Sequence, residues 1–137
     1  MPRSDKLNDQ GANFSFQLPD TIMQQTSQFM QKERVTLFML LLATYHALLH
    51  RYTQQDEINV GVPFANRYQN HTEKLIGFFT NTIVMNASFT PGMTFRQLLG
   101  QVWERVLGGQ DHQDLPFNRV VEAVQATRRE NVPPLFQ

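Results

Sequence analysis

The chain contains no cysteine, which excludes disulfides, thiolate metal sites and a cysteine nucleophile. It carries no excess of either charge: 12 Lys and Arg stand against 12 Asp and Glu, so no sequence-wide field draws it to nucleic acid or to an anionic membrane. It also lacks a long hydrophobic run. The longest apolar stretch, residues 35–49, is broken by Thr36, Thr44, Tyr45 and His46. It is shorter than the ~20 residues a membrane span needs, and reads as a buried helix. The opening Met1-Pro2-Arg3-Ser4-Asp5-Lys6 has no apolar core of a signal peptide, so a cytoplasmic location is expected. A glycine-rich phosphate loop, a Gly-x-Ser-x-Gly elbow and a paired-carboxylate block are absent too, leaving no self-contained catalytic constellation.

What is present is ordinary in bulk and particular in detail. With 137 residues, 41% of them hydrophobic and 18% charged, the chain is the size of one soluble domain. Residues 1–13 are polar and aperiodic and read as a linker or frayed end. Phe14-Ser15-Phe16-Gln17-Leu18 alternates like a half-buried strand, and Pro19-Asp20 then opens a helix through about Lys32 with Ile22, Met23, Phe29 and Met30 on one face. Thr36 is placed to cap a second helix, about residues 36–52, whose expected inner stripe is Leu37, Leu40, Leu41, Thr44, Leu48 and Tyr52. Residues 57–63 form a β-branched strand limited by Gly61 and Pro63. Residues 66–71 are loop-like, with a short helical turn at 72–75. Residues 78–89 read as a long strand with Phe79, Asn81, Ile83, Met85 and Ala87 on one face. Thr94 caps a helix with Phe95, Leu98, Leu99, Val102, Trp103 and Val106 inward, ended by Gly108-Gly109. Pro116 suits the first turn of a last helix, with Phe117, Val120, Val121 and Val124 inward, stopping near Arg129.

The chemistry-bearing residues divide between structural and functional readings. His46 and His50, four apart on a helix, could face one metal, but a third ligand and an intervening Glu are missing, so a packed or surface pair is expected and no metal site. His112 and Asp114 fall in a loop before a helix, where a carboxylate satisfies free helix N–H groups or pairs with Arg119, and the structural reading outweighs the catalytic one. Asn81, in an otherwise apolar strand pattern, needs hydrogen-bond partners if buried; strut and substrate-facing amide both stay open. Arg128-Arg129 most simply complements a helix dipole.

Two blocks go further. Ile76-Gly77-Phe78-Phe79-Thr80-Asn81-Thr82 resembles the fifth core motif of nonribosomal peptide synthetase condensation domains, and His112-Gln113-Asp114-Leu115-Pro116-Phe117 resembles the sixth. Residues 35–43, 61–67 and 134–137 are similar to the same family in the same order, so the resemblance runs from about residue 14 to the end. Departures are local: Asn86 stands where the family usually has Arg, Asn118 where it has Glu, and Asn131-Val132-Pro133 is less polar than the seventh motif. The larger departure is that the His-His-x-x-x-Asp-Gly motif, which supplies the family's active-site histidine, does not occur in this sequence.

The resemblance implies an α/β (α+β) sandwich: a chloramphenicol-acetyltransferase-like half-domain whose mixed sheet is packed by helices. Residues 14–137 would be the C-terminal lobe of a condensation domain, without the last strands expected after Phe136. The catalytic set within the chain is then empty, and the lobe is expected to be inactive alone. Asn81 and Thr82 would face the substrate tunnel; His112, Asp114 and Pro116 would shape the inter-lobe loop. No cofactor binds directly, but the phosphopantetheine arm of a carrier protein tethers the substrates. The implied partners are the N-terminal lobe and a peptidyl carrier protein, with self-association through exposed apolar surface and no nucleic acid or membrane. A noncatalytic carrier-protein or domain-interaction module and a stand-alone coenzyme A-dependent acyltransferase are the alternatives.

Overall fold

The computed structural model describes residues 11–65, 76–77, 79–124 and 135–136. The chain divides into two compact units, Met1–Arg34 and Val35–Gln137. In the first unit, helix α1 (Asp20–Glu33) starts behind Pro19, whose carbonyl accepts the amides of Ile22 at 2.9 Å and Met23 at 3.1 Å. Asp20 sits in the first turn and Lys32 in the last, each with the sign that complements the helix dipole. The helix ends at Arg34, in the left-handed region with φ 55°, its amide on the Met30 carbonyl. The strand expected over residues 14–18 is not formed: residues 11–19 have no regular secondary structure, and Phe14, Phe16 and Leu18 are exposed. Alternation marks a strand only when another strand takes up its backbone groups, and β-pairing among the described residues is confined to the second unit.

The second unit is built on a two-stranded antiparallel pair. Strand β1 (Glu57–Phe64) and strand β2 (Asn81–Ser88) run in register from Glu57 opposite Ser88 to Phe64 opposite Asn81. Opposed residues share a face, so Ile58, Val60 and Val62 stand with Ala87, Met85 and Ile83 on the core side. Helix α2 (Leu37–Thr53) packs on β1, and helix α3 (Phe95–Asp111) packs on both α2 and β2. The core is Met39, Leu40, Leu42, Ala43, Ile58, Met85, Ala87, Leu98, Leu99, Val102, Val106 and, from helix α4 (Phe117–Ala123), Val121.

Ladder direction explains why a proline is tolerated in β1. The Phe89 amide donates to the Asp56 carbonyl at 2.7 Å, whereas the Ser88 amide turns away from β1 to Oε1 of Gln101 at 2.8 Å. Alternation along an antiparallel pair then points the backbone groups of Glu57, Asn59, Gly61 and Pro63 away from β2. Pro63 therefore costs no ladder bond. On β2, Gln101 closes the outer edge, accepting from the Ser88 amide and donating to its carbonyl at 3.3 Å.

Both threonine caps form as expected. Thr36 Oγ1 accepts the Met39 amide at 3.2 Å, and Thr94 with Gln97 makes a reciprocal capping box. Several expectations need correction. Gly108-Gly109 does not end α3, which continues to Asp111; a Cβ on Gly109 would lie 2.9 Å from Met85 Cε and 3.3 Å from Ile83 Cγ2, so this glycine serves the close approach of α3 to β2. In α2 the buried face is Met39, Leu40, Leu42, Ala43 and His46, whereas Leu37, Leu41, Leu48 and Tyr52 of the expected stripe are exposed. Phe95 and Trp103, at the margins of the α3 stripe, are likewise exposed, as is Val124. Strand β2 spans Asn81–Ser88, and Phe79 and Thr80 of the expected strand precede it without strand structure, since pairing stops at Phe64; Phe78 lies outside the described residues. The turn expected at 72–75, Arg128-Arg129 and Asn131-Val132-Pro133 lie outside the described residues.

Candidate functional site

The two motif blocks meet at one side chain. Asn81 stands at the first position of β2, and its amide nitrogen donates to the carbonyls of Gln113 at 2.9 Å and Leu115 at 2.8 Å. Its Oδ1 accepts the Thr82 amide at 3.0 Å and the Phe117 amide at 3.1 Å. An asparagine amide offers two donors and two acceptor lone pairs, and all four positions are engaged. Thr82 follows opposite Pro63, half-buried, its backbone amide held by Asn81.

The sixth-motif block is a turn between α3 and α4. His112 closes α3, exposed, with Nδ1 2.8 Å from the Gly108 carbonyl. The Leu115 amide donates to the His112 carbonyl at 3.2 Å, and the Gln113 amide to Gln110 at 3.4 Å. Asp114 is exposed in this turn. Arg119 meets Glu122 at 3.3 Å. Pro116 occupies the N-cap position of α4 rather than its first turn, and no side chain of its own caps the helix. The Phe117 amide at that helix start is taken by Asn81, which acts as a cap supplied from 36 residues upstream. Phe117 also places its ring 5.7 Å from that of Phe136. Phe136 in turn seats over Gly61, where a Cβ would overlap the ring.

The surroundings are polar on one flank. A cavity of about 430 Å³ is lined by Val84, Asn86, Glu104, Arg105, Gly108, Gly109 and His112. Asn86 donates to Glu57 at 3.0 Å and to Asn59 at 2.9 Å, and Ser88 donates to Glu57 at 2.9 Å. The hydrogen bond from Asn86, then that from Ser88, holds the Glu57 carboxyl below its ordinary range, with Arg105 adding to the effect.

The two helical histidines do not converge. His46 is fully buried with neither ring nitrogen hydrogen-bonded, and burial lowers its pKa to about 4. His50 stacks on Phe89 with ring centroids 4.1 Å apart and its Nδ1 2.7 Å from the Gln55 carbonyl. No cluster of three or more metal-ligating side chains exists among the described residues. Sequence reasoning placed Asn81 and the 112–117 block in separate elements and missed their union; the available signal was a proline-led helix with no local cap.

The chain that carries this junction of strand, turn and helix has known relatives. The profile of the Condensation domain family matches residues 2–137, so the chain belongs to the condensation-domain family. It is 40% identical over 136 residues to a linear gramicidin synthase protein of Brevibacillus parabrevis, covering 99% of this chain and 3% of that protein. It superposes on a four-domain nonribosomal peptide synthetase solved in its holo form with AMP and glycine, with a TM-score of 0.84 and 30% identity over 89% of this chain and 9% of that one. The condensation domain of a Monacolin K polyketide synthase shares the fold, with a TM-score of 0.78 and 24% identity over 88% of this chain and 28% of that one. The α/β chloramphenicol-acetyltransferase-like class expected from the sequence is thus borne out. The chain spans only a few per cent of the curated relatives' length. No helix among the described residues is long and apolar enough to cross a membrane.

Proposed function

We propose that this chain, over residues 14–137, forms the C-terminal lobe of a condensation domain. It contributes one wall of the tunnel in which an amide bond forms between aminoacyl or peptidyl thioesters tethered to carrier proteins by phosphopantetheine. The observation that supports this best is the Asn81 junction, which joins the two blocks that resemble the family's motifs into one local structure. Asn81 and Thr82 stand on the tunnel side, and His112, Asp114 and Pro116 form the inter-lobe loop. The reaction is attack of an amine on a thioester, in which holding the two reactants in place supplies much of the rate and a basic group on the other lobe handles the amine's proton. The sequence lacks the His-His-x-x-x-Asp-Gly motif, so the lobe depends on an N-terminal partner for that group. Mixing the chain with a matching N-terminal lobe and loaded carrier proteins should restore dipeptidyl-thioester formation; turnover by the chain alone would refute the dependence.

A second reading concerns association. Phe38, Leu41, Tyr45, Leu48 and Tyr52 are all exposed on α2 and recur at the alternating spacing of three and four that lets two helices interlock. This face supports contact with a second copy of the chain. Light scattering during size exclusion should show a dimer that Leu41→Glu dissociates; a monomer at every concentration would end this reading.

A further inference from the structure

We infer that Asn81 is a positioning residue with two separable grips: its carbonyl oxygen holds the start of α4, and its NH2 group holds the turn before it. The inference rests on reading that turn as part of the tunnel wall. The saturated amide keeps no spare donor for a substrate, so its influence on one passes through what it holds.

The two grips meet different needs. Helix α4 opens behind Pro116, which supplies no side-chain cap. A helix start leaves amides to be satisfied from outside the helix, and the Asn81 oxygen does this for Phe117 at 3.1 Å. That helix is independently anchored by buried Val121 and by the Phe117–Phe136 contact. The turn's other bonds run back to itself or to the end of α3: the Gln113 and Leu115 amides donate at 3.4 and 3.2 Å, His112 Nδ1 lies 2.8 Å from the Gly108 carbonyl, and Gln113 Nε2 donates to Gln110 at 3.0 Å. The donations from Asn81 to Gln113 and Leu115, at 2.9 and 2.8 Å, tie the turn to β2. Removing the donors therefore unties the turn from β2 while leaving the helix start in place.

Two substitutions separate these roles. Asn81→Asp keeps both acceptors and sets a carboxylate against two carbonyls; Asn81→Leu keeps the shape and removes all four bonds. In heteronuclear NMR of the whole chain at neutral pH, Asn81→Asp should shift the amide signals of residues 113–115. Exchange protection at Thr82 and Phe117 should stay within about threefold of wild type in that variant, whereas Asn81→Leu should lower it at Phe117 by about tenfold or more. An unmoved turn in Asn81→Asp, or a Phe117 amide released as fully as in Asn81→Leu, overturns the inference while leaving the tunnel-wall reading intact. In an intact two-lobed domain containing this lobe, Asn81→Asp should reduce kcat about tenfold or more with KM for the carrier protein within about twofold. A displaced turn with unchanged kcat overturns the positioning role and the tunnel-wall reading together.

Discussion

Helices α2 and α3 have the same length, 17 residues, and the same kind of start, a threonine hydroxyl on the amide three residues on. They pack against each other, yet they solve burial differently. Helix α3 carries polar residues between its core positions and turns one stripe, Leu98, Leu99, Val102 and Val106, into the core. Helix α2 is apolar nearly all round: it buries Met39, Leu40, Leu42, Ala43 and His46 and leaves Phe38, Leu41, Tyr45, Leu48 and Tyr52 exposed. A helix with one apolar face has its orientation written into its periodicity, whereas a helix with two takes its orientation from its neighbours.

The sharpest way to break this contrast is to truncate both faces of α2. At concentrations low enough to keep the chain a monomer, Leu42→Ala should destabilise it by about 3 kcal/mol through lost burial and a residual cavity, while Leu41→Ala, on the exposed face, should stay within about 0.5 kcal/mol. Equal losses in denaturant titrations of the monomer would mean that the two faces are equally covered within one chain.

Acid should separate the helices next. Above its ordinary pKa His46 is neutral whether the chain is folded or not. As pH falls from 6.5 towards the folded value of about 4, the unfolded chain takes up a proton that the buried ring refuses, so stability falls and then levels off. The full loss is about 3 kcal/mol. His46→Leu should flatten the difference between pH 7 and pH 4.5, and thermal melts of the two proteins across that range provide the check. The buried set of α3 contains no titratable side chain, so a pH dependence that survives His46→Leu in this window would have to come from elsewhere in the molecule.

The smallest effect lies at the helix starts. Thr94→Ala should cost about 1 kcal/mol, and Thr36→Ala somewhat less, because Thr94 belongs to a reciprocal box with Gln97 and Thr36 provides a single bond. The reverse order in urea titrations would show that capping geometry does not set the difference.

The same contrast explains which parts of the molecule were legible in the sequence. Where polar residues separate the apolar ones cleanly, as in α3, element and inward face could both be read, apart from marginal Phe95 and Trp103, and β1 was legible as an element. In α2 the element and its cap were legible but the face was not, since Leu37, Leu41 and Leu48 satisfy helical spacing as well as Met39, Leu42 and Ala43 do. Gly109 misled because a glycine near a helix end looks like a terminator, and only the closeness of Met85 explains it. Residues 14–18 alternate like a strand but have no partner strand among the described residues. At the candidate site, the two blocks were legible as motifs. Their junction was not, because a side-chain amide that caps a helix 36 residues away leaves no local pattern.

That junction also has a place in time. The bonds from Asn81 to Gln113, Leu115 and Phe117 close intervals of 32, 34 and 36 residues, most of each occupied by β2 and α3. Contacts of such separation gain little until the intervening chain is ordered. Packing of α3 on β2 brings their ends together, so the pin should close late in folding. In pulse-labelled hydrogen exchange the Phe117 amide should gain protection after the interior amides of α3, so that the candidate site assembles late and opens before that helix.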